Sequence, residues 1–420
     1  MSIFKDSIKN NSTFCVLPWV HMSINTRGKF RLCCNQSFIQ KDMDKGGYLP
    51  IFHADERTVE EVWNSDAYRE VRKKMMKGEK IGPCSRCYRE EEMGMKSARI
   101  LNNESWSKSI GYINPDGFCS LDSIRYIDIR LGNGCNLKCR MCNAFSSSAW
   151  IDEEKKIHTA NIPMKDLTLL ENMDWFTKDF FWNSLFSAMK NCELLYFSGG
   201  EPMLFREQQL KLFDKCIKSG ISKNILLRYN TNLTISIDKF KKYWKHFSHV
   251  RINGSLDGVG KVDEYIRYPS KWNIIEKNLS LLYDNIQTKQ FPISASIMNT
   301  VQIYNIFDLT NVLDFCKQFK LFPILNILNH PQYLNIRVLS TKQKDIVDKM
   351  LSEWCQKNED WVIKNNRHIN EYKKLLRLSD YMYKENWEHL YPIFLQKTRE
   401  LDKLRNQKLE DYIPELMETR

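Results

Sequence analysis

No stretch of this 420-residue chain approaches the ~20 consecutive apolar residues of a helical membrane span, so no membrane partner is expected. The opening residues MSIFKDSIKNNSTF carry charge at Lys5, Asp6 and Lys9 and lack the apolar core of a secretory leader, which predicts a cytoplasmic location. A repeat at the period of roughly 20–50 residues typical of solenoids is missing as well. Cysteine is not scarce: there are thirteen, several at metal-like spacing. That pattern argues against a secreted disulfide framework, because reduced thiolates are what metals bind. Net charge is +12, from 63 basic and 51 acidic residues. Much of it is interleaved, as in EEKK (153–156) and LQKTRELDKLRNQKLED (395–411), and reads as solvated helix surface. It leaves a nucleic-acid partner open without supplying a motif for one. The length holds one barrel-sized domain and a smaller module.

Cys135, Cys139 and Cys142 lie in CNLKCRMC, three cysteines at x3 and then x2 spacing. A closed 4Fe–4S cubane takes four cysteines, so three thiolates can hold three irons and leave the fourth open to a small molecule. C-x2-C pairs also serve zinc, and the spacing alone leaves both readings standing. The flanking sequence adds context. IRYIDIRLG (124–132) alternates apolar and polar residues and predicts a strand, and the cysteines follow in a loop containing Gly132 and Gly134. A second strand, LLYF (194–197), runs into Ser198, Gly199, Gly200, Glu201 and Pro202, where residues without Cβ allow close approach. A third, ILLRYNTNLT (225–234), carries Asn230, Thr231 and Asn232, and a fourth, HVRINGSLDG (249–258), ends in Ser255, Asp257 and Gly258. Arg267 follows ten residues after Asp257.

In this order the four strand-end motifs resemble those of the radical S-adenosylmethionine (SAM) superfamily. The resemblance implies a 4Fe–4S cluster on Cys135, Cys139 and Cys142 whose open iron is chelated by the amino and carboxylate groups of SAM. The reduced cluster then splits SAM into methionine and a 5′-deoxyadenosyl radical. It implies that Gly199, Gly200, Glu201 and Pro202 meet the SAM amino group, and that Asn230 lies near the ribose and methionine. Ser255, Asp257 and Arg267 are implied at the SAM carboxylate, which a bidentate guanidinium suits. The chain departs from the family at Met141, where an aromatic residue near the adenine is usual. A thioether can pack against a ring edge, so the departure bears on adenine stacking and not on cluster binding.

The first hundred residues hold a second set. Cys15 is followed by VLPWVHMSINTRGKFRLCC, with Gly28 and then Cys33; EEVWNSDAYREVRKKMMKG (60–78) and Cys84-x2-Cys87 come next. Val59, Val62, Trp63, Tyr68, Val71 and Met75 fall near helical spacing and Gly78 ends the run. Four soft thiolates, Cys15, Cys33, Cys84 and Cys87, suit an iron–sulfur cluster or zinc. The order (Cys, a hairpin turning at Gly, Cys, a helix, a C-x2-C pair) resembles the twitch half of the SPASM auxiliary-cluster module. That implies an auxiliary iron–sulfur cluster, 4Fe–4S rather than 2Fe–2S or zinc, although the module usually follows the barrel and here precedes it. Cys34 reads as a spare thiol beside Cys33, and Cys119 is an isolated cysteine sixteen residues before Cys135.

The expected fold is α/β: a partial (β/α)6 TIM-like radical SAM barrel over 119–340, a small N-terminal cysteine-rich twitch-like module over 1–118, and a helical C-terminus over 341–420. Further strands are expected at 292–299, 323–329 and 334–339, with a helix at 307–319. In barrels the loops after the strands build the site, and all four motifs fall there. The aromatic residues of the 152–190 insertion and Trp150 read as helix core. Three functions follow. The first is hydrogen-atom abstraction from a peptide or protein, with a reductant such as flavodoxin or ferredoxin. The second is the same chemistry on a nucleotide, sugar or RNA. The third is a non-catalytic Fe–S or zinc-stabilised binding protein, which the open three-cysteine site disfavours because structural sites close their coordination.

Overall fold

The computed structural model describes residues 11–36, 51–92, 96–111, 113–157, 162–364 and 369–417; the opening residues MSIFKDSIKN lie outside the described residues. Its strands are β1 (His21–Ile24), β2 (Phe30–Arg31), β3 (Tyr126–Arg130), β4 (Leu194–Ser198), β5 (Leu226–Thr231), β6 (His249–Ser255), β7 (Ile293–Val301) and β8 (Ile324–Ile327). They follow the order β2-β1-β3-β4-β5-β6-β7-β8. From β3 onward helices alternate with strands, including Arg206–Lys218 after β4, Asp238–Trp244 after β5, Trp272–Thr288 after β6 and Leu309–Gln318 after β7. These are the β–α units of the expected partial barrel.

The chain divides into two compact units. The first comprises Met1–Gly134, Asn172–Tyr229 and Lys241–Val250. In it β1 runs antiparallel to β2 and parallel to β3, so the N-terminal hairpin extends the sheet rather than standing apart. The parallel ladder continues from β3 to β4 and from β4 to β5. The period-2 alternation sorts the strands into two faces. Ile127, Ile129, Leu195, Phe197 and Leu227 are fully buried, and Phe197 packs edge-on against Phe213 of the following helix. Gly28 turns the hairpin at φ +73°, and a Cβ there would lie 2.8 Å from Trp175 Cγ. Trp175 also donates its indole N–H to Thr26 O at 3.0 Å. The insertion's Trp175, Phe181 and Trp182 are buried as expected of core, while Phe180 is exposed.

The single helix expected over 60–78 is two, Val59–Trp63 and Asp66–Met76. The break has a local cause: the Ser65 hydroxyl accepts from Tyr68 N–H and starts a new helix, competing with continuation of the first. All six apolar positions of that pattern, Val59, Val62, Trp63, Tyr68, Val71 and Met75, are buried.

The second unit comprises Cys135–Glu171, Asn230–Phe240 and Arg251–Arg420. Here β7 and β8 pair in parallel, and one continuous core joins Tyr304, Val347, Trp354, Leu378 and Phe394. The C-terminal region is helical, with Thr341–Lys364, Ile369–Leu376, Leu378–Tyr383 and Tyr391–Arg405. The strand expected at 334–339 is absent and two 3-10 turns replace it, Gln332–Leu334 and Ile336–Val338. Asn335 explains the difference. Its carbonyl oxygen accepts from Arg337 N–H while its amide donates to Leu328 O at 2.6 Å and to Tyr381 Oη at 2.8 Å. A side chain that satisfies backbone groups this way offers them an alternative to a ladder.

Candidate functional site

In the second unit the loop Cys135–Cys142 is tied down along its backbone. Lys138 N–H donates to Tyr268 O, and Arg140 N–H to Ile266 O at 2.8 Å. The Leu137 carbonyl accepts from Ser147 Oγ at 2.6 Å, and the Cys139 carbonyl from the Trp150 indole at 3.0 Å. Arg140, between two of the cysteines, is buried: Nη2 donates to Asp402 Oδ1 at 2.5 Å and Nε to Tyr265 O at 3.0 Å. Its guanidinium carbon stands 3.6 Å from the Tyr265 ring centroid. One turn along the same C-terminal helix, Arg405 pairs with Glu153 at 2.8 Å, and Glu153 also meets Lys138 at 3.1 Å.

The three thiols lie along this braced loop. Cys139 is buried, and Cys135 and Cys142 are half-buried. The neighbouring Cys142 thiol draws the Cys139 thiol down against the opposing effect of burial, with Arg267 helping, and the same neighbour and burial hold Cys142 up. Asn232 Nδ2 lies 3.9 Å from Cys135 Sγ and bonds Asn136 Oδ1 at 2.9 Å, so the end of β5 reaches the first cysteine. Asn253 donates to Asn230 Oδ1 at 2.8 Å, and Ser255 closes β6 half-buried.

Asp257 and Arg267 meet each other. Arg267 Nη1 donates to Asp257 Oδ2 at 2.6 Å, and Asp257 Oδ1 accepts from Thr300 N–H at 2.8 Å. Both side chains are buried, at 10% and 1% exposure. The guanidinium expected at a SAM carboxylate is therefore engaged by a protein carboxylate, since a buried aspartate must be paired. Asp263 forms a third member: it accepts from Asp257 N–H at 3.0 Å, and burial pushes its carboxyl up to about 7 against the pull of Arg267. Met141 is half-buried against the C-terminal core and lines a cavity of about 850 Å³ with Phe145, His330 and Tyr333.

In the first unit the Gly-Gly-Glu-Pro turn lies at the end of β4. Gly199 has φ +119°, and a Cβ on Gly200 would collide with the Gly134 carbonyl. Glu201 N–H donates to Gly134 O at 2.8 Å and Gly200 N–H to Gly132 O at 3.4 Å. The glycines thus let two strand-end loops touch backbone to backbone. Glu201 is fully buried and caps the turn Pro202–Leu204 by accepting from Met203 N–H at 3.0 Å. Pro202 starts that turn, and its carbonyl accepts from Gln209 at 2.6 Å.

The four N-terminal cysteines also gather in this unit. Burial pushes the Cys15 thiol up to about 12, and the nearby Cys87 adds to the rise. Cys33 is raised by burial and then by Cys34, Cys15 and Cys84; Cys84 is raised by burial and then by Cys15 and Cys87. Thiols held up this way become thiolates when a metal binds them. Their backbone is fixed locally. The Phe14 carbonyl accepts from Arg99 Nη1 at 2.6 Å and Asn103 Nδ2 at 2.9 Å, and Val16 N–H donates to Asn103 Oδ1 at 2.7 Å. Tyr88, next to Cys87, donates to Thr13 O at 3.4 Å. Cys119 is not among them; it sits 3.0 Å from Ser123 Oγ, and Cys34 is exposed. Among the described residues no group of three or more His, Cys, Asp and Glu side chains could hold a metal ion as they stand. A cubane binds each thiolate at a different iron, so its ligands need not converge on one point. The donor chemistry, soft sulfur on fixed backbone, fits an iron–sulfur cluster at each set.

The residues that sequence reasoning missed are Arg140, Glu153, Asp402 and Arg405, which act on the cysteine loop from far along the chain, and Asp263. The only signal for them was an arginine between two cysteines, and a buried charge needs a partner.

Two family models match the chain. Residues 15–88 match the model of the SPASM iron–sulfur cluster-binding domain, and residues 129–315 that of the radical SAM superfamily. No curated protein matches the chain. Solved structures similar to it include native anSMEcpe with bound AdoMet and Kp18Cys peptide, at 18% identity and TM-score 0.37, covering 57% of this chain and 62% of that one. Native anSMEcpe with bound AdoMet matches at 18% identity and TM-score 0.37, over 54% and 59%. The match thus spans about three fifths of the length of those structures. The cofactors that belong with these two domains are 4Fe–4S clusters and SAM. The chain carries a domain of the radical SAM superfamily, preceded by an iron–sulfur cluster-binding SPASM domain.

Proposed function

We propose that this protein cleaves SAM reductively and takes a hydrogen atom from a peptide or protein substrate, with an auxiliary cluster on Cys15, Cys33, Cys84 and Cys87. The observation that carries the reading is the Cys135–Cys142 loop, three cysteines on a backbone tied by Ser147, Trp150, Tyr268 and Arg140. When bound there, the cluster supplies the electron that splits SAM into methionine and the 5′-deoxyadenosyl radical. The chain's own groups orient and exclude. Asn232 stands at Cys135, and the Asp257–Arg267 pair sets the charge beside Cys139. Gly199 and Gly200 bring backbone close, with Glu201 and Pro202 holding the turn. Asn230, Ser255 and Met141 complete the proposed SAM contacts. The peptide reading rests on the SPASM domain beside the radical SAM domain. Residues 1–118 serve as the auxiliary module, 119–340 as the SAM-cleaving part and 341–420 as its helical support. A flavodoxin or ferredoxin supplies the electron, and the enzyme works in the cytoplasm.

The test is anaerobic reconstitution followed by dithionite reduction and chromatography. The expected result is about eight irons per chain, as two 4Fe–4S clusters, and slow release of 5′-deoxyadenosine. Changing Cys135, Cys139 and Cys142 to Ala should leave about half the iron and no 5′-deoxyadenosine. Fully loaded protein that releases none, with no SAM-dependent change in its EPR signal, contradicts the reading. Stoichiometric zinc on the N-terminal cysteines of protein purified without oxygen contradicts its auxiliary half.

A further inference from the structure

The face of the sheet opposite the helices carries an unusual row. Strand register aligns Arg31 with Ser23, Ser23 with Asp128, Asp128 with Tyr196, and Tyr196 with Arg228, one residue from each of β2, β1, β3, β4 and β5. Arg130 lies on the same face of β3, two residues beyond Asp128 and opposite Ser198. Three guanidinium groups therefore share this face with one carboxylate. That carboxylate is enclosed: Asp128 is 1% exposed and has Ser198 Oγ at 3.4 Å and Ser23 Oγ at 3.5 Å.

Neither Arg130 nor Arg228 has an ion pair among the described residues, and both are half-buried. Arg228 Nε is buried without a hydrogen-bond partner, and its guanidinium lies beside Tyr196, 5.7 Å from the ring centroid. Burial raises the Asp128 carboxyl while Arg130 lowers it, so the one negative group on this face is already opposed by its enclosure. Buried Arg140, Arg267 and Arg405 are each matched by a carboxylate, Asp402, Asp257 and Glu153, and buried Arg72 by the carbonyls of Pro18 and Gly117. An arginine fork left with donors to spare suits a planar carboxylate. Arg130 and Arg228 sit two strands apart, about 10 Å across the sheet, and their long side chains can close on one group over Tyr196.

We propose that this polar row is a substrate-binding surface and that it selects a peptide carboxylate, held by Arg130 and Arg228. The inference rests on the peptide reading given above and adds the chemistry the peptide must present. A carboxylate could come from an Asp or Glu side chain or from the peptide's own C-terminus.

The experiment offers a randomised peptide library to the reconstituted, SAM-loaded protein and sequences the bound fraction. One library has free and one has amidated C-termini. Wild-type protein should enrich Asp and Glu several-fold in the amidated library if a side chain is read. Enrichment of free-ended peptides over amidated ones identifies the terminus instead. Arg130→Gln and Arg228→Gln should each reduce the enrichment, and the double variant should abolish it, with iron content and the circular-dichroism spectrum unchanged. Binding that ignores both side-chain and terminal carboxylates, or a preference that survives the double variant, overturns the assignment while leaving the peptide reading standing. A nucleoside diphosphate that binds through Arg130 and Arg228 when no peptide binds overturns the peptide reading itself.

Discussion

Around Cys135, Cys139 and Cys142 the backbone is held by charge brought from more than 250 residues away, whereas around Cys15, Cys33, Cys84 and Cys87 it is held mostly by neutral groups less than 90 residues away. Arg140 and Asp402, which brace the first loop, are 262 residues apart, and Arg405 and Glu153 are 252 apart. Both arginine side chains have no solvent exposure, and their partners have 9% or less. The N-terminal set relies on Asn103, Tyr88 and Asn11, with one ion pair, Arg99–Glu91, whose side chains are 9% and 18% exposed. The difference teaches where rigidity is placed. A cluster with an open iron has only three protein ligands, so the loop that supplies them must be fixed by other contacts. A four-thiolate set is partly fixed by its own metal.

The largest effect should come from breaking that brace. Asp402→Ala leaves Arg140 buried and unpaired, which costs about 3–5 kcal/mol. Hydrogen exchange should show Cys135–Cys142 opening, and the protein should lose the first cluster's iron on gel filtration. Glu91→Ala, at the more exposed pair, should cost about 1–2 kcal/mol and leave that loop protected. Equal losses from the two variants would erase the contrast.

Acid should act on the other side of the comparison. His21, buried on β1 with Nδ1 3.0 Å from Tyr126 O, is lowered from 6.5 to about 4 by burial, against the effect of that hydrogen bond. Below pH ~6.5 the unfolded chain binds a proton that the folded chain refuses, so this contribution is complete above that value and fades as pH falls toward 4. The loss should reach about 2–3 kcal/mol and appear as faster exchange in β1 and β3, ahead of the second unit. His21→Gln should flatten the dependence; an unchanged slope in that variant assigns the acid sensitivity elsewhere.

How much of this was legible in the sequence follows from the range of each interaction. Alternation in IRYIDIRLG and LLYF located β3 and β4, because period-2 patterning is local. The x3-x2 cysteine spacing and the Gly-Gly-Glu-Pro turn located strand-end loops, because close backbone approach demands Gly at 200. The brace was invisible: nothing near Arg140 points to Asp402. The same holds for Arg267, whose partner Asp257 was in view but whose burial was not. Leu334–Leu339 has a strand-like composition, yet Asn335 bonds its own neighbours and forms a turn, a side-chain choice that hydrophobic pattern does not register. The parallel pairing of β1 with β3 was hidden for a similar reason, since 105 positions separate His21 from its ladder partner Tyr126.

The smallest expected effect on SAM cleavage is also the most direct test of the account, which assigns that step to the three-cysteine loop alone. Cys84→Ala with Cys87→Ala removes half of the N-terminal set and leaves Cys135, Cys139 and Cys142 in place. The variant should keep about half of the wild-type iron and release 5′-deoxyadenosine slowly after reduction, at a rate within a few-fold of wild type. Complete loss of 5′-deoxyadenosine from a folded variant that retains the first cluster would contradict the division of labour between the two cysteine sets.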